Sequence, residues 1–177
     1  MPADIRIESA RLADAPTVAA IYAHHVREGI ASFEIAPPST EEMAARMSRV
    51  LDAGWPWLVA CDPAHDVLGY GYASQFRSRP AYRYTCENSI YVRHDRRGEG
   101  IGRALLALLI VAAERCGFRQ MIAVIGGGEP ASARLHAACG FVERGRMLEV
   151  GRKHGRWLDT LYMQRQLGHG APLEGEE

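Results

Sequence analysis

The stretch Val92-Arg93-His94-Asp95-Arg96-Arg97-Gly98-Glu99-Gly100-Ile101-Gly102-Arg103 constrains this chain more than any other. Ahead of it the residues read as an extended strand. Beyond it Ile101, Leu105, Leu108, Leu109 and Ala112 fall at the spacing of a helix with one apolar face. The chain must therefore pass from strand to helix through three glycines. Such a turn lets the backbone approach a ligand closely and adopt positive φ, while the unpaired N–H groups and dipole of the helix start favour negative charge. Phosphate is the natural ligand of such a point. A dinucleotide-binding fold would need G-x-G-x-x-G after its first strand, with an acidic residue about twenty positions on. Here the glycines lie past the midpoint, and the third glycine of that spacing is replaced by Leu105. The G-x-x-x-x-G-K-[ST] phosphate loop is also missing.

Around this turn the periodicity alternates between strand and helix. Ile5-Arg6-Ile7 reads as a short strand, and Asp14 followed by Pro16 opens a helix with Val18, Ile21 and Tyr22 on one face. Ser39 with Glu42 three residues on forms a capping-box signal, and Met43, Met47, Val50 and Leu51 supply the stripe of a second helix ending near Gly54. Trp57–Cys61 and Val67–Gln75 read as a hairpin joined by the turn-rich segment 62–66, and Cys86–Val92 reads as a further extended run. Gly117 ends the helix that starts near Gly98. Gln120–Ile125, nearly all apolar, is expected to be a central strand buried on both faces. A helix over Ala131–Ala138 stops at Gly140, and Phe141 to Leu167 forms two strands around Lys153-His154-Gly155. The order β-α-α-β-β-β-α-β-α-β-β predicts an α/β chain with a mixed sheet and helices on its faces.

Composition narrows the partners. The 177 residues suit one compact domain, expected over 1–167, with a flexible glycine- and glutamate-rich tail at 168–177. Twenty-one basic and 21 acidic side chains balance, so no global field draws the chain to nucleic acid or an anionic membrane. No apolar run is long enough to span a bilayer, and no secretory leader opens the chain. A soluble, cytoplasmic protein is the expectation. Four scattered cysteines (61, 86, 116 and 139) suggest reduced thiols rather than a disulfide framework, and the histidines show no metal-ligand spacing, so no metal is expected.

Arg97, Gly100 and Gly102 fit R-x-x-G-x-G/A, which resembles the pyrophosphate signature of the GNAT acetyltransferases. The likeness extends through Tyr84–Val92, Ala123–Gly126, Arg134–Phe141 and Gly151–Asp159, where the chain is similar to the phosphinothricin and methionine sulfoximine N-acetyltransferase branch. The E-x-S-[IV]-Y-V strand and the G-x-K-x-G-x-W hairpin are its most specific parts. The resemblance implies a GNAT acyl-CoA N-acyltransferase fold of about seven strands flanked by about four helices. It also implies acetyl-CoA as co-substrate, held by Ile90, Tyr91, Val92 and the turn Arg97, Gly98, Glu99, Gly100, Ile101, Gly102 and Arg103. Arg77, Ser78 and Arg79 with Glu87, Asn88 and Ser89 are the implied substrate contacts. A homodimer follows by analogy, with the Gly151–Trp157 hairpin pairing across a two-fold axis.

Chemistry supplies the roles. An acceptor amine titrates near pH ~10, so a base must take its proton, and Glu87, on one strand face with Ser89 and Tyr91, is the candidate; the alternative is a strand-end carboxylate paired with a nearby arginine. A backbone N–H near Tyr91 or Val92 would stabilise the oxyanion. His136 stands where many members of the family carry an acidic tyrosine, either donating a proton to the leaving thiolate or packing as a helix histidine. Glu129, with Ser132 beyond it, replaces the asparagine that relatives use toward pantetheine or to open the helix; glutamate cannot donate as an amide does, although it sits favourably at a helix N-terminus. Arg77, Arg79 and Arg83 could grip a carboxylate or phosphinate, or form a solvated loop that meets CoA phosphates. Tyr22, Phe33 and Trp157 are candidate pocket walls or plain core. The leading reading is N-acetylation of a small glutamate-like or methionine-derived amino acid by direct attack, with no triad signature for an acyl-enzyme. Alternatives are a peptide or protein N-acetyltransferase and a non-catalytic acyl-CoA sensor.

Overall fold

The computed structural model describes residues 4–168. The expected tail falls outside the described residues except for Gly168. The elements follow the predicted order: β1 (Arg6–Ser9), α1 (Ala15–Glu28), α2 (Thr40–Asp52), β2 (Trp57–Cys61), β3 (Val67–Gln75), β4 (Thr85–Val92), α3 (Ile101–Arg115), β5 (Gln120–Gly126), α4 (Pro130–Ala138), β6 (Val142–Lys153) and β7 (Arg156–Gln166). The strands form one sheet in the order β1-β2-β3-β4-β5-β7-β6. Every neighbouring pair is antiparallel except β4 and β5, which run parallel and are joined across α3.

Strand alternation divides the core between the two faces. Trp57, Val59 and Tyr70 meet Val18, Ile21, Tyr22, Met43 and Met47 of α1 and α2. On the other face Ala60 and Leu68 meet Ile101 and Leu105, while Cys86, Met121 and Ala123 meet Leu106 and Leu109 of α3. Trp57 stacks on Tyr72 with ring centroids 4.2 Å apart, a contact of about 1 kcal/mol beyond area burial. Deleting either ring would loosen the seat of α2.

Two local readings are corrected. Ser39 caps α2 by accepting from the Glu42 N–H at 3.2 Å, but the Glu42 carboxylate turns to Arg46 at 3.0 Å, so only half of the expected box forms. β5 is not sealed on both faces. Met121, Ala123 and Ile125 are buried while Ile122 and Val124 are only half-buried, because α1 and α2 cover β2 to β4 and leave that side of β5 thinly covered. Ile101 sends its side chain into the core at 1% exposure, as its place on the apolar face of α3 requires, so only its backbone can face a ligand at the turn. The Lys153 hairpin forms as expected, with His154 and Gly155 both at positive φ (48° and 74°), the geometry of a two-residue turn that matches strand twist. The four cysteines are free.

Candidate active site

β4 is paired along one edge for its whole length and along the other for only half. Its ladder with β3 runs from Cys86–Gln75 to Val92–Gly69, whereas its parallel ladder with β5 stops at Asn88–Ala123. Beyond that point the two strands part. The cavity in the fork, about 60 Å³, has room for a few heavy atoms and is lined by Ser89, Ile90, Tyr91, Val124, Ile125 and His136 among others.

The register states which backbone groups face this opening. Phe76 donates to the Thr85 carbonyl at 2.9 Å and Arg93 to the Leu68 carbonyl at 2.8 Å, so the odd residues of β4 exchange bonds with β3 and the even ones point toward β5. Ile90 and Val92 therefore turn their main-chain groups to the fork, and Tyr91 turns its own to Tyr70. The Val92 carbonyl is taken by His25 Nε2 at 2.9 Å. The Ile90 and Val92 N–H groups and the Ile90 carbonyl remain for a ligand. This moves the oxyanion donor expected near Tyr91 or Val92 away from the Tyr91 N–H. The Tyr91 phenol packs among Tyr22, His25 and Tyr70 at centroid distances of 5.0, 5.3 and 5.1 Å, and burial drives its pKa well up.

The fork leads to the glycine turn. Gly98 and Gly100 adopt φ of 82° and 80°, conformations that cost an L-residue about 1–2 kcal/mol, and Gly100 is the N-cap of α3. Gly102 is different: an added Cβ would meet Leu135 and Val92 at 3.5 Å, ordinary contact, which fits the alanine that the signature tolerates there. Arg97 and Arg103 are exposed at the turn, while the Glu99 carboxylate is held by Arg96 at 2.7 and 2.8 Å. Glu99 thus offers the turn its N–H rather than its charge. Arg97 Nη2 approaches His25 Nδ1 at 3.5 Å, and burial lowers the His25 pKa, so the neutral ring spans Arg97 and Val92. His25 carries no signal of this place in the sequence, being one of two adjacent histidines on a helix 72 positions from Arg97.

Glu87, cross-strand from Ser74, is half-buried and accepts no hydrogen bond among the described residues. Burial raises its pKa and the Arg77 charge lowers it in part. Such a carboxylate is poised for a proton. Asn88 instead faces α4: its Oδ1 lies 3.0 Å from His136 Nε2 and its Nδ2 donates to the Ile122 carbonyl at 3.1 Å. His136 is 5% exposed, and its Nδ1 lies 2.8 Å from the Ser132 carbonyl. Burial lowers its pKa and the Ser132 carbonyl opposes the shift. The ring thus bridges α4 to the last paired residue of β4, at the base of the fork. Glu129 caps α4 by accepting from the Ser132 N–H at 2.8 Å, so its carboxylate is committed to the helix start.

The arginine-rich loop is only partly gathered. Arg77 lies over the Phe76 ring at 4.7 Å and Arg83 over Tyr84 at 4.5 Å, while Arg79 is exposed. Ser78 borders a cleft of about 430 Å³ with Arg46, Arg49, Trp57, Tyr72 and Ser74. The α2 arginines were not legible as site residues, since only folding brings α2 beside β3. Among the described residues one group of metal-ligand type comes together, Glu8, Cys61 and His65, at the far β1–β2 edge. Arg11 Nη2 already sits 3.1 Å from Glu8 and 3.2 Å from His65, a cation in the place of an ion.

A parted strand pair beside a glycine-capped helix start, with a half-buried carboxylate on the same strand, is the arrangement of an acyl-CoA-dependent N-acetyltransferase. Residues 7–162 match the acetyltransferase (GNAT) domain family, and the chain belongs to it. Over 158 residues it is 53% identical to a phosphinothricin N-acetyltransferase of Alcaligenes faecalis, covering 89% of this chain and 80% of that one. It is 41% identical to an L-methionine sulfoximine/L-methionine sulfone acetyltransferase of Pseudomonas paraeruginosa, covering 91% and 94%. A crystal structure of a phosphinothricin acetyltransferase from Sinorhizobium meliloti in complex with AcCoA superimposes with a TM-score of 0.93 at 48% identity, covering 98% and 94%. Among the described residues no helix is long and apolar enough to cross a membrane.

Proposed function

We propose that this enzyme transfers the acetyl group of acetyl-CoA to the α-amine of a small glutamate-like or methionine-derived amino acid, of the phosphinothricin and methionine sulfoximine or sulfone type. The observation that carries the reading is the fork between β4 and β5, where the unpaired Ile90 and Val92 N–H groups lie on the strand that runs into the Gly98–Gly102 turn and packs against Gly102. The residues fit the co-substrate. An extended amide-bearing arm can pair with the free edge of β4 as a missing strand would, and the pyrophosphate can meet the N–H groups of Gly98, Glu99, Gly100, Ile101, Gly102 and Arg103, with Arg97 beside them.

In this reading Glu87 takes the proton from the acceptor ammonium, directly or through a water, and the amine attacks the acetyl carbonyl without a covalent enzyme intermediate. The tetrahedral adduct then collapses with cleavage of the C–S bond, and the leaving CoA thiolate takes up the second proton, which the acylated nitrogen loses. The N–H of Ile90 or Val92 stabilises the charge that develops on the carbonyl oxygen. Ser89 and Tyr91 wall the fork, and Asn88, Ser132 and His136 hold α4 against it. The buried His136 ring, packed between the Ser132 carbonyl and Asn88 Oδ1, serves the architecture of the fork before it serves as an acid. Arg77, Arg79 and Arg83 supply positive charge for the acceptor's anionic groups, with the Ser78 hydroxyl beside them. The protein works in the cytoplasm as one domain over 1–167. It pairs as a homodimer along β6, an edge strand that exposes Val142, Leu148 and Val150 beside Trp157.

Release of CoA thiol from acetyl-CoA, measured with methionine sulfoximine, methionine sulfone, phosphinothricin, glutamate, a polyamine and a basic peptide, tests the reading. Saturable turnover confined to the first three is expected. Turnover of the peptide alone would overturn the acceptor assignment, and binding of acetyl-CoA with no turnover would make the protein a sensor.

A further inference from the structure

The G-x-K-x-G-x-W hairpin lies far from the glycine turn in the chain, and the acetyl-transfer chemistry above gives it no role. Two of its residues meet the segment between α1 and α2. Lys153 is 5% exposed, and its ammonium donates to the Ser32 carbonyl at 2.7 Å. A buried ammonium is costly unless it holds a partner in place. Gly151 faces the Phe33 ring, which occupies the space that any Cβ there would need.

The same segment is pinned from its other side. Ser32 Oγ and Tyr22 Oη are 2.9 Å apart, Tyr22 donates to Glu34 at 3.0 Å, and Arg46 donates to the same carboxylate oxygen at 2.7 Å. The segment then lies flat on the end of β5. A Cβ on Gly126 would stand 2.6 Å from the Ala31 carbonyl oxygen and 2.9 Å from Phe33, and one on Gly127 would stand 2.7 Å from Ile30. Ala31 in turn lines the fork with Ser89, Ile90 and Tyr91.

We propose that Lys153 is a positioning residue for acceptor capture: seated on the Ser32 carbonyl, it holds residues 30–35 closed over the end of β5, so that Ala31 and Phe33 form the acceptor-side wall of the fork. The inference rests on the acetyl-transfer reading for its kinetic consequence, but not for its structural one. Each glycine of the hairpin motif then has its own reason. Gly151 admits Phe33, and Gly155 makes the turn that brings Lys153 back under the segment.

The test compares Lys153→Met, which keeps the stem and removes the charge, Lys153→Arg, which restores it, and Gly151→Ala, which displaces Phe33 and leaves the lysine alone. Amide exchange of residues 30–36 reads the segment directly. Lys153→Met and Gly151→Ala should each speed it by about ten-fold or more, and Lys153→Arg should recover most of the protection. With methionine sulfoximine as acceptor, its KM should rise by about ten-fold to a hundred-fold in the first two variants, with the Kd for acetyl-CoA within about two-fold of wild type. Unchanged exchange in Lys153→Met overturns the proposal. So does loosening of the whole chain in both variants, or an equal loss of affinity for acetyl-CoA and acceptor, because Lys153 would then be an ordinary stability element. If wild type acetylates none of the amino acids, the function proposed above fails, and the exchange arm still decides the role of Lys153.

Discussion

The two ends of the fork are built by opposite means. At the phosphate end, Gly98, Gly100 and the first N–H groups of α3 are neighbours in the chain, and positive φ at two glycines sets their geometry. At the proposed acceptor end, Ala31 comes from the α1–α2 segment, Glu87 from β4, Arg77 from the loop after β3 and Lys153, seated on the Ser32 carbonyl, from the last hairpin. A phosphate cradle needs only backbone, so a short local segment suffices. A selective acceptor wall needs side chains of several kinds around one small volume, and no local segment can supply them.

This contrast predicts that substitutions at the acceptor end change turnover with little change in acetyl-CoA affinity, and that those at the turn do the reverse. The largest expected effect breaks the chemistry alone. Glu87→Gln should lower kcat by about 10²–10⁴-fold while calorimetry finds acetyl-CoA binding nearly intact. The pH profile sharpens this result. A base acts when deprotonated, so the rate should climb as pH rises through the Glu87 pKa, which burial sets above the usual ~4.3 for glutamate. That acid limb should vanish in Glu87→Gln; its persistence would remove Glu87 from proton transfer.

A smaller effect tests the joint between the two ends. His136→Ala deletes a buried bridge from Asn88 to Ser132 and should cost about 1–3 kcal/mol, read as a fall in Tm of ~2–4 °C for each kcal/mol. Activity at low temperature should largely survive; a complete loss with an unchanged Tm would restore His136 as a proton donor. At the turn, Gly100→Ala places an L-residue at φ 80°, a strain of about 1–2 kcal/mol that should weaken acetyl-CoA by roughly ten-fold. Gly102→Ala, two residues on, should leave both affinity and Tm near wild type, because its Cβ has room. Equal losses at positions 100 and 102 would show that close approach, rather than positive φ, governs the turn.

Much of the molecule was legible in the residues alone because its signals are local. Strand and helix periods place β2 and β3 at their observed bounds, and the glycines of the turn announce its positive φ. The family resemblance extends this to Glu87 on the correct strand. It does not reach the hydrogen-bond parity of β4, which assigns Ile90 and Val92 rather than Tyr91 to the fork, since parity depends on the register with β3. Nor does it reveal that β5 is buried on one face only.

Local order in the chain therefore determined the elements, the glycine turn and the strand that carries Glu87, because each depends on periods and backbone conformations that neighbouring residues impose. Only the tertiary structure decided where β4 leaves β5, which backbone groups are left free there, and that Lys153 lies beneath Ser32, 121 positions away in the chain. Those outcomes depend on which distant surfaces are buried together, and burial is a property of the whole packed molecule.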